Sequence, residues 1–224
     1  RGRRRGSVAV GDGARFLAQE TLEAKTGASS LLLPAVDRAV RAAGVTPGAL
    51  VAVVAGGGPG SFTGLRSAAA TAKAIVRARG IPLFAYSGLM GHAAAHRRAG
   101  RPVCALFDAR NREVFAGCWA FGDSSVEDLL EPAVLSLPEL IDRFRADAPP
   151  LFVGDGAVLH RAEIEAAFGA GSVGEDADES PAAGLLWLAR TVPERGRVES
   201  AAAWEPEYLR ASGAERIAAA RGGG

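Results

Sequence analysis

Apolar positions along this chain switch between a period of two and a period of about 3.6 residues, and the switches place its elements. GSVAV (6–10) and ARFLAQETL (14–22) flank Gly11-Asp12-Gly13, a turn sequence that predicts a β-hairpin. In SSLLLPAVDRAVRAAG (29–44), Leu32, Leu33, Val36 and Val40 recur at helical spacing, and Gly44 stands where a helix ends. Pro34 suits that helix if Ser29 or Ser30 caps it, because a first-turn residue has no intrahelical N–H bond to lose. LVAVVAG (50–56) is an unbroken apolar run with β-branched residues and predicts a strand buried on both faces. A helix from about Ser61 to Arg79, a strand at IPLFAYS (81–87) and a helix at GLMGHAAAHRRAG (88–100) complete a mixed sheet with helices packed on it.

Around Arg101 the pattern restarts. VCALFDAR (103–110) and EVFAGCWAFG (113–122) predict a second hairpin turning near Asn111. LSLPELIDRFRA (135–146) predicts a helix with Pro138 near its start, and LFVGDGA (151–157) a buried strand ending in glycine turns. LHRAEIEAAFG (159–169) and SPAAGLLWLARTV (180–192) read as helices, GSVGEDADES (171–180) as a polar loop, and SGAERIAAARGGG (212–224) as a small, charged tail. The second half thus repeats the order hairpin, helix, strand, helix. The expected architecture is α/β, with an N-terminal half over 1–100, a C-terminal half over 101–224 and a cleft between them.

Composition narrows the class. With 224 residues, 48% of them hydrophobic and 23% charged, the chain can bury a core of ordinary globular kind. A net charge of +1 announces no polyanion-binding surface. No apolar run approaches the roughly 20 residues of a membrane span, and the basic start RGRRRGSVAV lacks the apolar core of a signal peptide. Two cysteines are too few for a disulfide framework and predict a reducing, cytoplasmic setting. The second hairpin sets Cys104 opposite Cys118, where oxidation in the test tube becomes possible.

The stretch GGGPGSFTG (56–64) carries the strongest chemical signal. Its glycines let the backbone turn sharply and approach another group closely, and Ser61 or Thr63 can cap the helix that follows. The start of that helix would welcome an anion. Yet no Lys-Ser/Thr follows the last glycine, and the spacing misses the dinucleotide fingerprint, so the favoured reading is a structural strand-to-helix turn. The following helix is thin: Ala68, Ala69, Ala70, Ala72 and Ala74 let another backbone pack close, whether its own sheet or a partner helix. Leu65, Ala69, Ala72 and Val76 make one stripe, and Arg66, Lys73 and Arg77 line another side.

Other candidate groups read more plainly. His92 and His96 lie one turn apart, the spacing of a shared metal, but HAAAH contains no Glu to act as a base, and an exposed helix end is the favoured reading. Asp108, Glu113 and Asp155 suit turns or caps, and Trp119, Trp187 and Trp204 suit core or interface places, since no basic stripe in the sequence accompanies them. No cofactor is expected.

Gly58-Pro59-Gly60-Ser61-Phe62-Thr63-Gly64-Leu65-Arg66 resembles the signature of the TsaB family, also called YeaZ. SSLLLP (29–34), FDARNREVF (107–115) and PEYLR (206–210) resemble further family segments in the same order, so the likeness covers most of the chain. It implies a fold of the actin, Hsp70 and sugar-kinase type. It also implies a non-catalytic scaffold that dimerizes with the catalytic subunit TsaD, or with a second copy of itself. Together with the ATPase TsaE, that complex installs threonylcarbamoyl on the adenosine beside the tRNA anticodon, so tRNA is met through the complex. The first two helices, here 29–43 and 61–79, would form the partner face, with Leu32, Val36, Leu65, Ala69, Ala72 and Val76 as its residues.

The chain also departs from the family. Members open with an apolar strand ending in Asp-Thr-Ser or similar, lying centrally between the strands represented here by 6–10 and 50–56. This sequence starts inside the turn that follows, which predicts poor folding unless something fills the slot. The same gap removes an aspartate that related kinases and TsaD place near nucleotide and metal. TsaD's His-x-x-x-His motif would fall on Gly88 and His92, so only one position matches. The alternative readings are an active metal-dependent transferase or glycoprotease-like enzyme using His92 and His96, and a small-molecule kinase, which would need the first-strand aspartate and a second phosphate loop.

Overall fold

The computed structural model describes residues 6–13, 15–22, 31–145, 148–175 and 177–207. The expected cap at Ser29 or Ser30, residues 208–210 of PEYLR and the tail lie outside these residues.

The first hairpin pairs β1 (Gly6–Gly11) antiparallel with β2 (Phe16–Leu22). Its turn is closed by the Arg15 N–H, which donates to Asp12 Oδ1 at 2.7 Å. On it lies α1 (Leu32–Ala42), burying Ala35, Ala39 and Val40; of the stripe read from the sequence, Val36 and Val40 pack with Val10 of the hairpin, while Leu33 stays exposed. After a short 3₁₀ turn at Pro47–Ala49, β3 (Val53–Gly56) runs parallel to β4 (Leu83–Tyr86), with α2 (Phe62–Arg79) as the crossover. The strand is shorter than its apolar run: Val51 is 79% exposed and precedes it. The helix α3 (Gly88–Ala95) completes this half.

In the second half β5 (Val103–Arg110), β6 (Glu113–Phe121), β7 (Val126–Ser136) and β8 (Leu151–Val153) form one sheet in the order β7-β6-β5-β8. The hairpin turns at Arg110, Asn111 and Arg112, all with positive φ, and Cys104 pairs with Cys118 in its register. Sequence reading missed β7, which contains Pro132 and several carboxylates. It is an edge strand, where a missing N–H and outward charge are tolerated. Helices α4 (Leu137–Phe144), α5 (Asp155–Leu159) and α6 (Arg161–Phe168) pack on this sheet around Leu106, Phe152 and Ile164. The chain then runs through α7 (Pro181–Thr191) and α8 (Pro193–Gly196).

One expectation is corrected. The first half forms two separate two-stranded ladders rather than one mixed sheet. In the second half β5 stands between β6 and β8; no described strand takes the matching place between β1 and β3. What joins the two ladders is α7, which packs on β1, β3 and α3 alike. Contact with α3 is close because both helices use glycine there: a Cβ on Gly184 would overlap the Gly91 carbonyl, and one on Gly91 would lie 2.6 Å from Leu185 Cδ2. The halves also share a core in which Tyr86, Leu89 and Met90 meet Val103, Trp119 and Leu188.

Candidate functional site

Where β3 runs out, the glycine loop begins. The Gly57 N–H continues the β3–β4 ladder by donating to the Tyr86 carbonyl at 2.7 Å. Its own carbonyl accepts from the Glu207 N–H at 2.7 Å. The Gly58 carbonyl accepts from the Gly88 N–H at 2.5 Å and from Ser87 Oγ at 3.2 Å. Gly58 has φ +118°, and a Cβ there would overlap the Glu207 carbonyl. A cis peptide joins it to Pro59. Ser61 then caps α2, its Oγ accepting from the Gly64 N–H at 3.1 Å. The loop is therefore a junction where three backbone segments meet, with the Gly57 and Gly58 carbonyls and the Ser61 hydroxyl bonded within the chain itself.

The surroundings also disfavour an anion. A cavity of about 370 Å³ beside the loop has Tyr86, Trp119 and Trp204 on its walls and Glu131, Glu205 and Glu207 among its lining. The arginine in its lining is already paired, since Asp128 holds Arg195 through both oxygens at 2.8 and 2.7 Å, and of its carboxylates Glu205 is met by Lys73 Nζ at 2.7 Å. Trp119 donates from Nε1 to Asp128 at 2.7 Å. Burial pushes the Tyr86 phenol up to about 12, and it donates to the Val192 carbonyl at 3.0 Å.

The candidate partner residues separate into two groups. Leu32, Val36 and Leu65 are half-buried. Ala69, Ala72 and Val76 are buried in this chain's own core, where Ala72 and Val76 pack with Ala55 and Leu83. That corrects the expected face: the slim stripe of α2 is what lets the helix lie close on β3 and β4. Its opposite row, Arg66, Ala70, Ala74 and Ala78, is exposed at i, i+4, i+8 and i+12 spacing. Phe62, 42% exposed, lies under the Arg66 guanidinium at 4.1 Å from the ring centre, and α1 exposes Leu33 at 60%. Thr63 and Gly64 are exposed in the first turn, while Gly58 and Pro59 are buried and Gly60 is exposed.

His92 and His96 face each other with ring centres 5.9 Å apart, and His92 sits edge-on to Phe107 at 5.4 Å. Among the described residues no group of three metal-ligating side chains forms. Asp155 Oδ1 accepts from the Asp108 N–H at 3.3 Å and Asp108 Oδ1 from the Arg110 N–H at 2.7 Å, so both carboxylates hold turns. Cys104 and Cys118 are buried and not bonded to each other; burial, reinforced by the neighbouring thiol, raises the Cys104 pKa and keeps it an inert thiol.

Sequence reasoning missed the return of residues 204–207 to the loop and the Trp119–Asp128–Arg195 chain. Both join positions far apart in sequence, and the only local sign was a run of glycines with no side chain of their own.

A two-half α/β molecule of this shape is of the actin, Hsp70 and sugar-kinase type, and its solved relatives show it. The structure matches a crystal structure of a protein with similarity to peptidase YEAZ from Pseudomonas aeruginosa, with TM-score 0.74, 28% identity, and 92% of this chain and 94% of that one covered. It matches YeaZ from the same organism with TM-score 0.69 and 28% identity over the same shares. Residues 22–176 match the family model described as TsaD, tRNA N6-adenosine threonylcarbamoyltransferase, and the chain belongs to that family. Within it the likeness is to TsaB: the tRNA threonylcarbamoyladenosine biosynthesis protein TsaB of Bacillus subtilis is 29% identical over 185 residues, 82% of this chain and 80% of that protein. An uncharacterized protein of Mycobacterium tuberculosis is 40% identical over 100 residues, 45% of this chain and 44% of its own length. Among the described residues no helix is long and apolar enough to cross a membrane.

Proposed function

We propose that this chain is a non-catalytic, pairing subunit in the synthesis of threonylcarbamoyladenosine on tRNA. It supports a cytoplasmic TsaD-type subunit, which performs the transfer, in a complex with a TsaE-type ATPase; a homodimer uses the same face. The observation that carries the reading is the two-sidedness of α2. Its inner stripe binds its own strands, while the row Arg66, Ala70, Ala74 and Ala78 offers a partner a surface with little side chain in the way. Likeness to TsaB over most of the length supports it. The test is co-purification with the TsaD-type protein. Ala70→Arg or Ala74→Arg abolishes pairing with melting temperature unchanged, whereas Ala69→Arg lowers the melting temperature, because it buries a charge. Undiminished pairing in both exposed variants would mean that this row is not the partner face.

A second reading, a metal-dependent transferase or glycoprotease-like enzyme, draws on the transferase description of the matched family model and on the facing His92 and His96. It requires stoichiometric metal in the purified protein, lost in His92→Ala, and turnover without a partner.

A further inference from the structure

A second cavity, also about 370 Å³, opens where the segment after α3, the end of β6 and the middle of α7 meet. Its lining brings Arg97, Arg98 and Arg190 together with Phe121 and Trp187, against one carboxylate, Asp123. In the sequence these groups lie far apart, and no tryptophan stands beside a basic stripe; the packing of α7 on α3 creates the grouping.

The arginines differ in what they have left to give. Arg97 is fixed: its guanidinium bonds both oxygens of Glu179, at 2.5 and 3.0 Å, donates to the Ala94 carbonyl at 3.1 Å and lies 5.3 Å from the Trp187 ring centre. Arg98 reaches the same carboxylate only at 3.5 Å and is 81% exposed. Arg190 is exposed on α7. Glu179 thus faces two guanidiniums and Asp123 stands in the same lining, so three guanidiniums meet two carboxylates and one positive charge is left over at the mouth. Beside it, Phe121 and Trp187 stand edge to face with ring centres 5.8 Å apart, both half-buried, so the pair offers an entering base one ring face and one ring edge.

We infer that this cavity is a binding site for one nucleotide unit, with the base against Phe121 and Trp187 and the phosphate on Arg98 and Arg190. Aromatic rings accept any base by stacking, and arginine matches phosphate oxygens with paired donors. The volume lies within the range of small-molecule sites and leaves room for one such unit. The unit comes either from a free mononucleotide or from a single-stranded RNA.

The full chain is titrated with AMP, adenosine and inorganic phosphate by calorimetry. AMP binds at least about 10-fold tighter than either part, and the affinity falls with salt. Arg98→Gln/Arg190→Gln weakens AMP at least about 10-fold with little change in melting temperature, since both side chains are exposed and the solvent-facing 3.5 Å contact of Arg98 with Glu179 contributes little; Arg98→Gln alone gives a smaller loss in the same direction. AMP quenches tryptophan emission in the parent, and the quench disappears in Trp187→Phe although Trp119 and Trp204 remain. A five-residue oligoadenylate separates the sources: binding at least 10-fold tighter than AMP, lost in the double variant, assigns the site to a strand; equal or weaker binding assigns it to the free nucleotide. Absence of AMP binding at millimolar concentration, or binding of AMP and oligonucleotide that the double variant leaves unchanged, overturns the site. These outcomes are independent of partner pairing, which is read on α2.

Discussion

At the scale of single residues, the glycines of the loop are not equivalent. Gly58 needs a positive φ and an empty Cβ position because the Glu207 carbonyl occupies that space. Gly60 has only the flexible Leu65 side chain nearby, at 3.3 Å. Gly58→Ala is therefore expected to lower stability by about 2–3 kcal/mol, the sum of backbone strain and a displaced 204–207 segment, while Gly60→Ala stays within about 1 kcal/mol. Urea midpoints measure the difference, and a red-shifted Trp204 emission in Gly58→Ala reports the displacement. The importance of the loop was legible in its letters. The reason was not, since a glycine is explained by the group that approaches it, and here that group arrives some 150 residues later.

At the scale of elements, hydrophobic period identified α1, α2, the hairpins and α7, and Ser61 and Gly80 mark the ends of α2 as capping chemistry requires. Period does not say which side of an alanine-rich helix turns inward, because alanine suits core and surface alike. That is why the sequence leaves open whether Ala69 and Ala72 meet the chain's own sheet or a partner, and why it does not separate them from Ala70 and Ala74. β7 was illegible for a related reason: its first half is mostly exposed, its second half is partly buried on both faces, and bulges break the register, so neither alternation nor an apolar run appears. A testable tie between elements is Arg97–Glu179, which fixes the end of α3 to the loop before α7. Hydrogen bonding from Arg97 holds the Glu179 carboxyl below its ordinary 4.5. A carboxylate with a depressed native pKa adds stability that is fully present above 4.5 and fades as pH falls through the lower native value. Glu179→Gln should then melt below the parent at neutral pH, with the gap closing on acidification beneath 4.5; a gap that persists in acid would assign the loss to packing.

At the scale of the whole molecule, the repeat of hairpin, helix and strand was readable, and it gave the two-half architecture. The boundary near residue 100 remains a reading of that repeat, and contacts cross it freely: α7 serves as the floor of the first half, and Tyr86, Leu89, Trp119 and Leu188 share a core. Unfolding in urea is accordingly expected to be one transition, with far-ultraviolet dichroism and tryptophan emission coinciding; two separated midpoints would show halves that stand alone. The placement of α7 and residues 204–207 also bears on biosynthesis. Domains commonly fold as they leave the ribosome, from the N-terminus onward. Here the pieces that close the first half are translated well after it, so the nascent chain holds β1, β3 and the loop open until α7 and residues 204–207 emerge. The interval before release is the time when a chaperone has the most to protect.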